Sequence, residues 1–203
     1  MTSIIKVNNI QNSSGTTALS IDGSGRVSSP QGLGMNHLLT ETISNQPHYD
    51  IDSTYINSTY DSYEIEYVLR CTQDNHHLYS RVFVGGTVQT GSIYNFTISS
   101  QGDTTNDADG TSQTAFRLNR FSVGDETGAF IGGRMRLQNV NSTSFPYFHT
   151  GMGMSWRYPS AQYTGTSYTG SLSLANRTDV VNGIRLYYAS NIESGTIKVF
   201  GIK

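Results

Sequence analysis

Charge is scarce in this chain. Asp, Glu, Lys and Arg make up 14% of its 203 residues, against roughly 25% in ordinary soluble domains. The 13 Lys and Arg form no run and the formal net charge is −2, so the sequence lacks the electrostatic footprint of a nucleic-acid or anionic-membrane binder. Cysteine is nearly absent. The single Cys71 excludes an intrachain disulfide and any CxxC metal or redox motif, and it reads as a small core residue. No apolar run reaches the 18 residues that mark a membrane-crossing helix. Met1–Lys6 has no basic stretch followed by an apolar one, so no export signal is expected and synthesis in a cytoplasm is. Helical periodicity is missing as well: no 12-residue stretch carries it free of Gly or Pro.

Ser, Thr, Asn, 21 Gly and 13 Tyr fill the space, while the hydrophobic share is only 35%. Disordered chains combine low hydrophobicity with high net charge and few aromatics, which is not this balance. A neutral, hydroxylated, Tyr-rich composition fits a loop-rich β protein used for recognition or assembly.

Strand signals recur throughout. In Tyr63–Cys71 the odd positions are apolar or aromatic, with Glu64, Glu66 and Arg70 between them; that period of two marks a half-buried strand. Gln73-Asp74-Asn75 is a turn, and Leu78–Val84 is expected to return as the antiparallel partner, ending at Gly85-Gly86. Further strands are expected at 37–43, 49–56, 92–98, 115–123 (with a bulge near Asn119), 129–140, 148–156, 183–188 and 195–203. The 100–113 and 158–170 stretches read as polar loops, and 171–176 as a strand or one helical turn. Ahead of them, 4–7, 16–21 and 26–27 are short strands around turns at 8–15 and 22–25, with too little apolar surface to stand alone. The expected fold is all-β: an antiparallel β-sandwich, jelly-roll-like, over 31–203, preceded by a short N-terminal β-hairpin arm over 1–30.

Candidate chemistry is sparse. Glu64 and Glu66 lie about 7 Å apart by strand rise, an inverting-glycosidase spacing, but on one strand face rather than on opposite sides of a bond. Asp103, Asn106, Asp107 and Asp109 invite calcium, yet an EF-hand register puts Thr105 first and Phe116 twelfth, where Glu is required. His76-His77 are adjacent on a turn and rarely converge on a metal. His149 either joins a ligand platform or is packed. GxSxG, Walker A and GxGxxG motifs are absent. No catalytic residue, metal site or cofactor is expected, and the chain reads as a non-enzyme. The best recognition surface is Tyr147, Phe148, Trp156, Tyr158, Tyr163 and Tyr168, whose flat amphipathic rings suit sugars or a protein partner.

Three stretches carry a family resemblance. Ile5-Lys6-Val7-Asn8-Asn9-Ile10-Gln11-Asn12-Ser13-Ser14-Gly15, continued by Leu19–Val27, resembles a leader of tail-fibre-like and other virion structural proteins of tailed bacteriophages of aquatic bacteria. Ser62–Gly86 and Ile192–Lys203 resemble the opening and closing strands of a β-sandwich common in phage virion proteins. The resemblance implies virion localisation, a homotrimer contacting other virion proteins, and attachment through Ile4, Ile5, Val7, Ile10, Leu19 and Ile21. It also implies a tail-fibre-like or receptor-binding role toward a host surface glycan. The alternative is a capsid decoration or head-fibre protein.

Overall fold

The computed structural model describes residues 8–21, 23, 27–28, 34–100, 108–160 and 162–203. β1 (Asn9–Gln11), β2 (Thr17–Ile21) and β3 (Val27–Ser28) make a small antiparallel sheet. β1 occupies residues expected as a turn; the strand expected at 4–7 lies outside the described residues. The remaining strands form one large curled sheet: β4 (Met35–Ile51), β5 (Ser62–Cys71), β6 (Tyr79–Val84), β7 (Thr87–Val88), β8 (Tyr94–Ser100), β9 (Ala108–Gln113), β10 (Phe116–Arg117), β11 (Ile131–Gln138), β12 (Phe148–Arg157), β13 (Gln162–Leu172) and β14 (Val181–Ile202). A 3-10 turn at Leu174–Asn176 follows β13.

The 22-residue β14 is the spine. β4 runs along one of its edges, while its other edge holds β6 against Val181–Tyr187 and then β5 against Ile192–Ile202. Beyond β6 lie β7 and β10; beyond β5 lie β11, β12, β13, β8 and β9 in that order. The result is an antiparallel, sandwich-like fold whose layers share β4 and β14. Phe116 of β10 closes it, meeting Tyr94 of β8 at 4.7 Å and His149 of β12 at 4.2 Å between ring centroids.

β5 follows its alternation. Tyr63, Ile65, Tyr67, Leu69 and Cys71 are in the core, and Glu64, Glu66, Val68 and Arg70 face outward. The expected 63–84 hairpin does not form: β5 and β6 do not pair with each other but sit end to end on one edge of β14, and between them His76 makes an isolated antiparallel bridge with Val123. The expected loop at 158–170 is largely β13, and the strands expected at 183–188 and 195–203 are one. Near Asn119 the chain leaves the sheet: its buried carboxamide accepts from the Leu78 N–H at 2.8 Å, satisfying a ladder donor.

Tyrosine and glycine are coupled inside. Gly151 pairs across the strands with Tyr168, and a Cβ at Gly151 would collide with that ring. Gly133 would meet the Tyr67 hydroxyl at 3.1 Å. Missing side chains on β11 and β12 thus let Tyr67 and Tyr168 lie across the sheet, where their hydroxyls hydrogen-bond at 3.0 Å.

The outer edges are blunted. On β4, Val199 pairs with Leu39 but Phe200 with His37, leaving Leu38 as a bulge; Asn45 has φ 41° and Pro47 follows. Bulges and prolines disfavour strand addition. On β9, Ser112 has φ 53°.

Candidate functional site

The outer face of β14, β5, β11, β12 and β13 is a platform of cross-strand rows. Register sets each row. The first is aromatic: Phe130, Trp156 and Tyr163. The Trp156 backbone N–H donates to the Phe130 carbonyl at 3.0 Å, Trp156 and Tyr163 rings are 4.8 Å apart, and Phe130 and Tyr163 rings 5.4 Å. The Tyr163 hydroxyl donates to the Gly128 carbonyl at 3.1 Å. The second row is Thr196, Val68, Gly132, Met154 and Gly165; the third is Lys198, Glu66, Arg134, Met152 and Ser167; the fourth is Phe200, Glu64, Arg136, Thr150 and Thr169.

An open groove of about 710 Å³ lies over the second and third rows. Its floor dips at Gly132, which presents no side chain between Val68 and Met154. Val68 is 52% exposed, Met152 56%, Met154 44% and Tyr163 47%. Contiguous exposed apolar surface of this kind marks an interaction site, and the polarizable, unbranched methionines adapt to what lies on them. The third and fourth rows are charged and mixed in sign, with Glu64 within 4.0 Å of Arg134 and Arg136 donating to the Ser62 hydroxyl at 3.0 Å. Such a surface can hold a flat apolar face. Glu64 and Glu66 project from the same face of β5, so they do not flank a bond as an acid–base pair must.

The aromatic stretch read from the sequence divides. Trp156 and Tyr163 meet on the platform. Tyr147 and Tyr168 are corrections: they are 1% and 4% exposed and belong to the core, where burial pushes both phenols up. His149 is also core. Tyr147 O–H and His149 Nδ1 share a 3.2 Å hydrogen bond, and burial drives the imidazole down to about 3. Phe148 is half-buried at the opposite end of β12 from Trp156, about 26 Å away by strand rise. Tyr158 is half-buried beyond that strand, its N–H bound to the Ser122 carbonyl at 2.9 Å. Phe130, Val68, Met152 and Met154 were not foreseen, although Gly151-Met152-Gly153-Met154 already spells large residues alternating with glycine.

Ile10, Leu19 and Ile21 share one face of the small sheet with Val27, through the pairs Ile10–Leu19 and Ile21–Val27. Ile4, Ile5 and Val7 lie outside the described residues, as do Asp103, Asn106 and Asp107. His77 is drawn down to about 4 by burial and by Arg117. Among the described residues no group of three or more His, Cys, Asp or Glu can hold a metal ion. Set against family models, curated proteins and solved structures, the chain matches none of them.

Proposed function

We propose that this chain is a non-enzymatic structural protein of a phage virion, a tail-fibre-like or receptor-binding component. The observation that carries the reading is the platform groove, an exposed apolar strip bordered by the Phe130–Trp156–Tyr163 row on a rigid sheet. The leader and the terminal strand resemble virion proteins, and the small sheet supplies an attachment arm. The aromatic row would face a host surface glycan, stacking on its apolar ring faces. A second reading, capsid decoration or head-fibre protein, is favoured by the apolar side of the arm, where among the described residues Ile10 and Val27 are 47% and 48% exposed; there the arm would clamp the shell.

Particles carrying Tyr163→Ala separate the two. Tyr163 is exposed, so its loss leaves the fold intact, whereas Trp156 packs against the core and its truncation also costs stability. A receptor-binding component loses host adsorption with normal particle assembly. Unchanged adsorption, together with loss of particle incorporation on deleting residues 1–28, would replace the first reading by the second.

A further inference from the structure

The outer face of β4, β14, β6 and β10 carries cations that these strands do not balance. The paired segments 48–51, 181–187, Tyr79–Val84 and Phe116–Arg117 hold Arg81, Arg117 and Arg185 against one carboxylate, Asp50. Register puts Asp50, Arg185 and Arg81 in one cross-strand row, and His48, Tyr187, Tyr79 and Arg117 in the next. Asp50 accepts from Arg185 through both carboxylate oxygens at 2.7 Å. Arg81 stands directly opposite Arg185, and like charges so placed destabilise a sheet. Among the described residues Arg81 has no acidic partner, and its Nε donates to the Thr114 carbonyl at 2.9 Å. Asp103 and Asp107, outside the described residues, precede Ala108, itself about 20 Å by strand rise from Thr114.

An aromatic stack holds the Arg81 fork in a fixed plane. The Tyr79 and Tyr187 rings lie 5.6 Å apart and 28° from parallel, and the Arg81 guanidinium carbon lies 4.9 Å from the Tyr187 centroid. With one face on a ring and Nε engaged, the terminal N–H groups are the ones left to bind. We propose that this face is a second binding surface, for an acidic polysaccharide, with Arg81 as the fork that takes a sugar carboxylate. A planar guanidinium matches a carboxylate through two parallel hydrogen bonds, and a fork already ordered by packing loses little freedom on binding. The Asp50 carboxylate and the two phenols beside it offer partners to sugar hydroxyls. Charge selects the class: a neutral glycan leaves the repulsion between Arg81 and Arg185 uncompensated, and an acidic one relieves it. A phosphate backbone fits less well, because nucleic-acid affinity comes from neutralising many phosphates and this chain has a formal net charge of −2. The inference rests on the reading of the chain as a glycan-binding component. It adds a charge class and a second surface to that reading, and it leaves the platform groove open.

The test is binding of purified full-length protein to immobilised polygalacturonate, which carries a carboxylate on every sugar, with neutral dextran as the control. The expected result is capture by polygalacturonate and none by dextran. Arg81→Gln should weaken capture about tenfold, the scale of one charge-assisted bond. Arg81→Lys should fall between, since it keeps the charge and the stem over Tyr187 but not the fork. Arg177→Gln, at an exposed position on the turn after β13, should bind as the unaltered chain does. Should Arg81→Gln fail to fold, Arg81→Lys decides: weaker capture supports the fork, and capture equal to that of the unaltered chain overturns it. Equal losses from Arg81→Gln and Arg177→Gln overturn the proposal in favour of non-specific charge attraction. Tighter capture by a single-stranded oligonucleotide overturns it in favour of a nucleic acid. The assay uses no particles, and Tyr163 stands on β13, so failure here is separable from failure of the adsorption test on the platform.

Discussion

Gly151→Ala and Gly132→Ala add the same methyl group to neighbouring strands, on opposite faces of one sheet. Neither glycine has a positive φ, so backbone strain does not enter. At Gly132 the new Cβ lies 3.3 Å from the Phe130 ring and 3.4 Å from a Val68 methyl, on the open side where small shifts are free. At Gly151 it lands in the buried Tyr168 ring. Overpacking costs typically 1–3 kcal/mol, and displacing Tyr168 also strains its bond to Tyr67, a further ~1 kcal/mol. Replacing Gly by Ala within a strand returns roughly 0.5–1 kcal/mol at both sites. We therefore expect Gly132→Ala to be neutral or slightly stabilising and Gly151→Ala to lose about 1–3 kcal/mol. For a chain of this length that is a drop of about 2–12 °C in Tm. Urea titration followed by tryptophan fluorescence reads both variants. Equal stability of the two would refute the coupling of glycines to buried tyrosines as the reason for this composition.

Other perturbations separate the remaining features. Tyr67→Phe and Tyr168→Phe each leave a buried hydroxyl unpaired and should cost about 1–3 kcal/mol, whereas the double variant should cost less than their sum in a denaturation cycle. His149 is held neutral, its folded pKa of about 3 lying below the unfolded value of 6.5. The unfolded chain therefore binds the extra proton, and stability present above pH 6.5 is lost as pH falls toward 3. Between pH 7 and pH 5 this amounts to about 2 kcal/mol, which His149→Gln should remove from the difference between unfolding curves at those pH values. Cys71 is fully buried and its thiol is pushed up to about 11 by burial. A disulfide reagent at pH 8 should react only at the rate of unfolding, and prompt reaction of native protein would contradict its placement.

Much of the fold was legible, and the gaps have physical causes. The period of two in Tyr63–Cys71 survives because β5 has a hydrophobic core on one side and solvent on the other. Its neighbours were not legible. β5 pairs with β11 and β14, roughly 60 to 140 residues away, and no local turn signal reports such pairing. β13 escaped because its inward residues include Thr164, Thr166 and Gly170, buried without being hydrophobic. Tyr147 and Tyr168 looked like surface rings for the same reason: the glycines and hydroxyl residues around them make a polar sequence but a close-packed interior. In the platform row, Trp156 and Tyr163 belong to the one aromatic stretch legible in the sequence and pair across β12 and β13, whereas Phe130 comes from a separate stretch that only register brings beside them.

The central claim is that this protein is part of a phage particle, with its platform side outward. Ser160→Cys, at an exposed turn beside the platform, gives one accessible thiol on an otherwise thiol-silent chain. Gold labelling of intact particles carrying this variant should decorate a fixed location, the tail under the receptor-binding reading. Purified particles that contain none of the chain would contradict the claim outright.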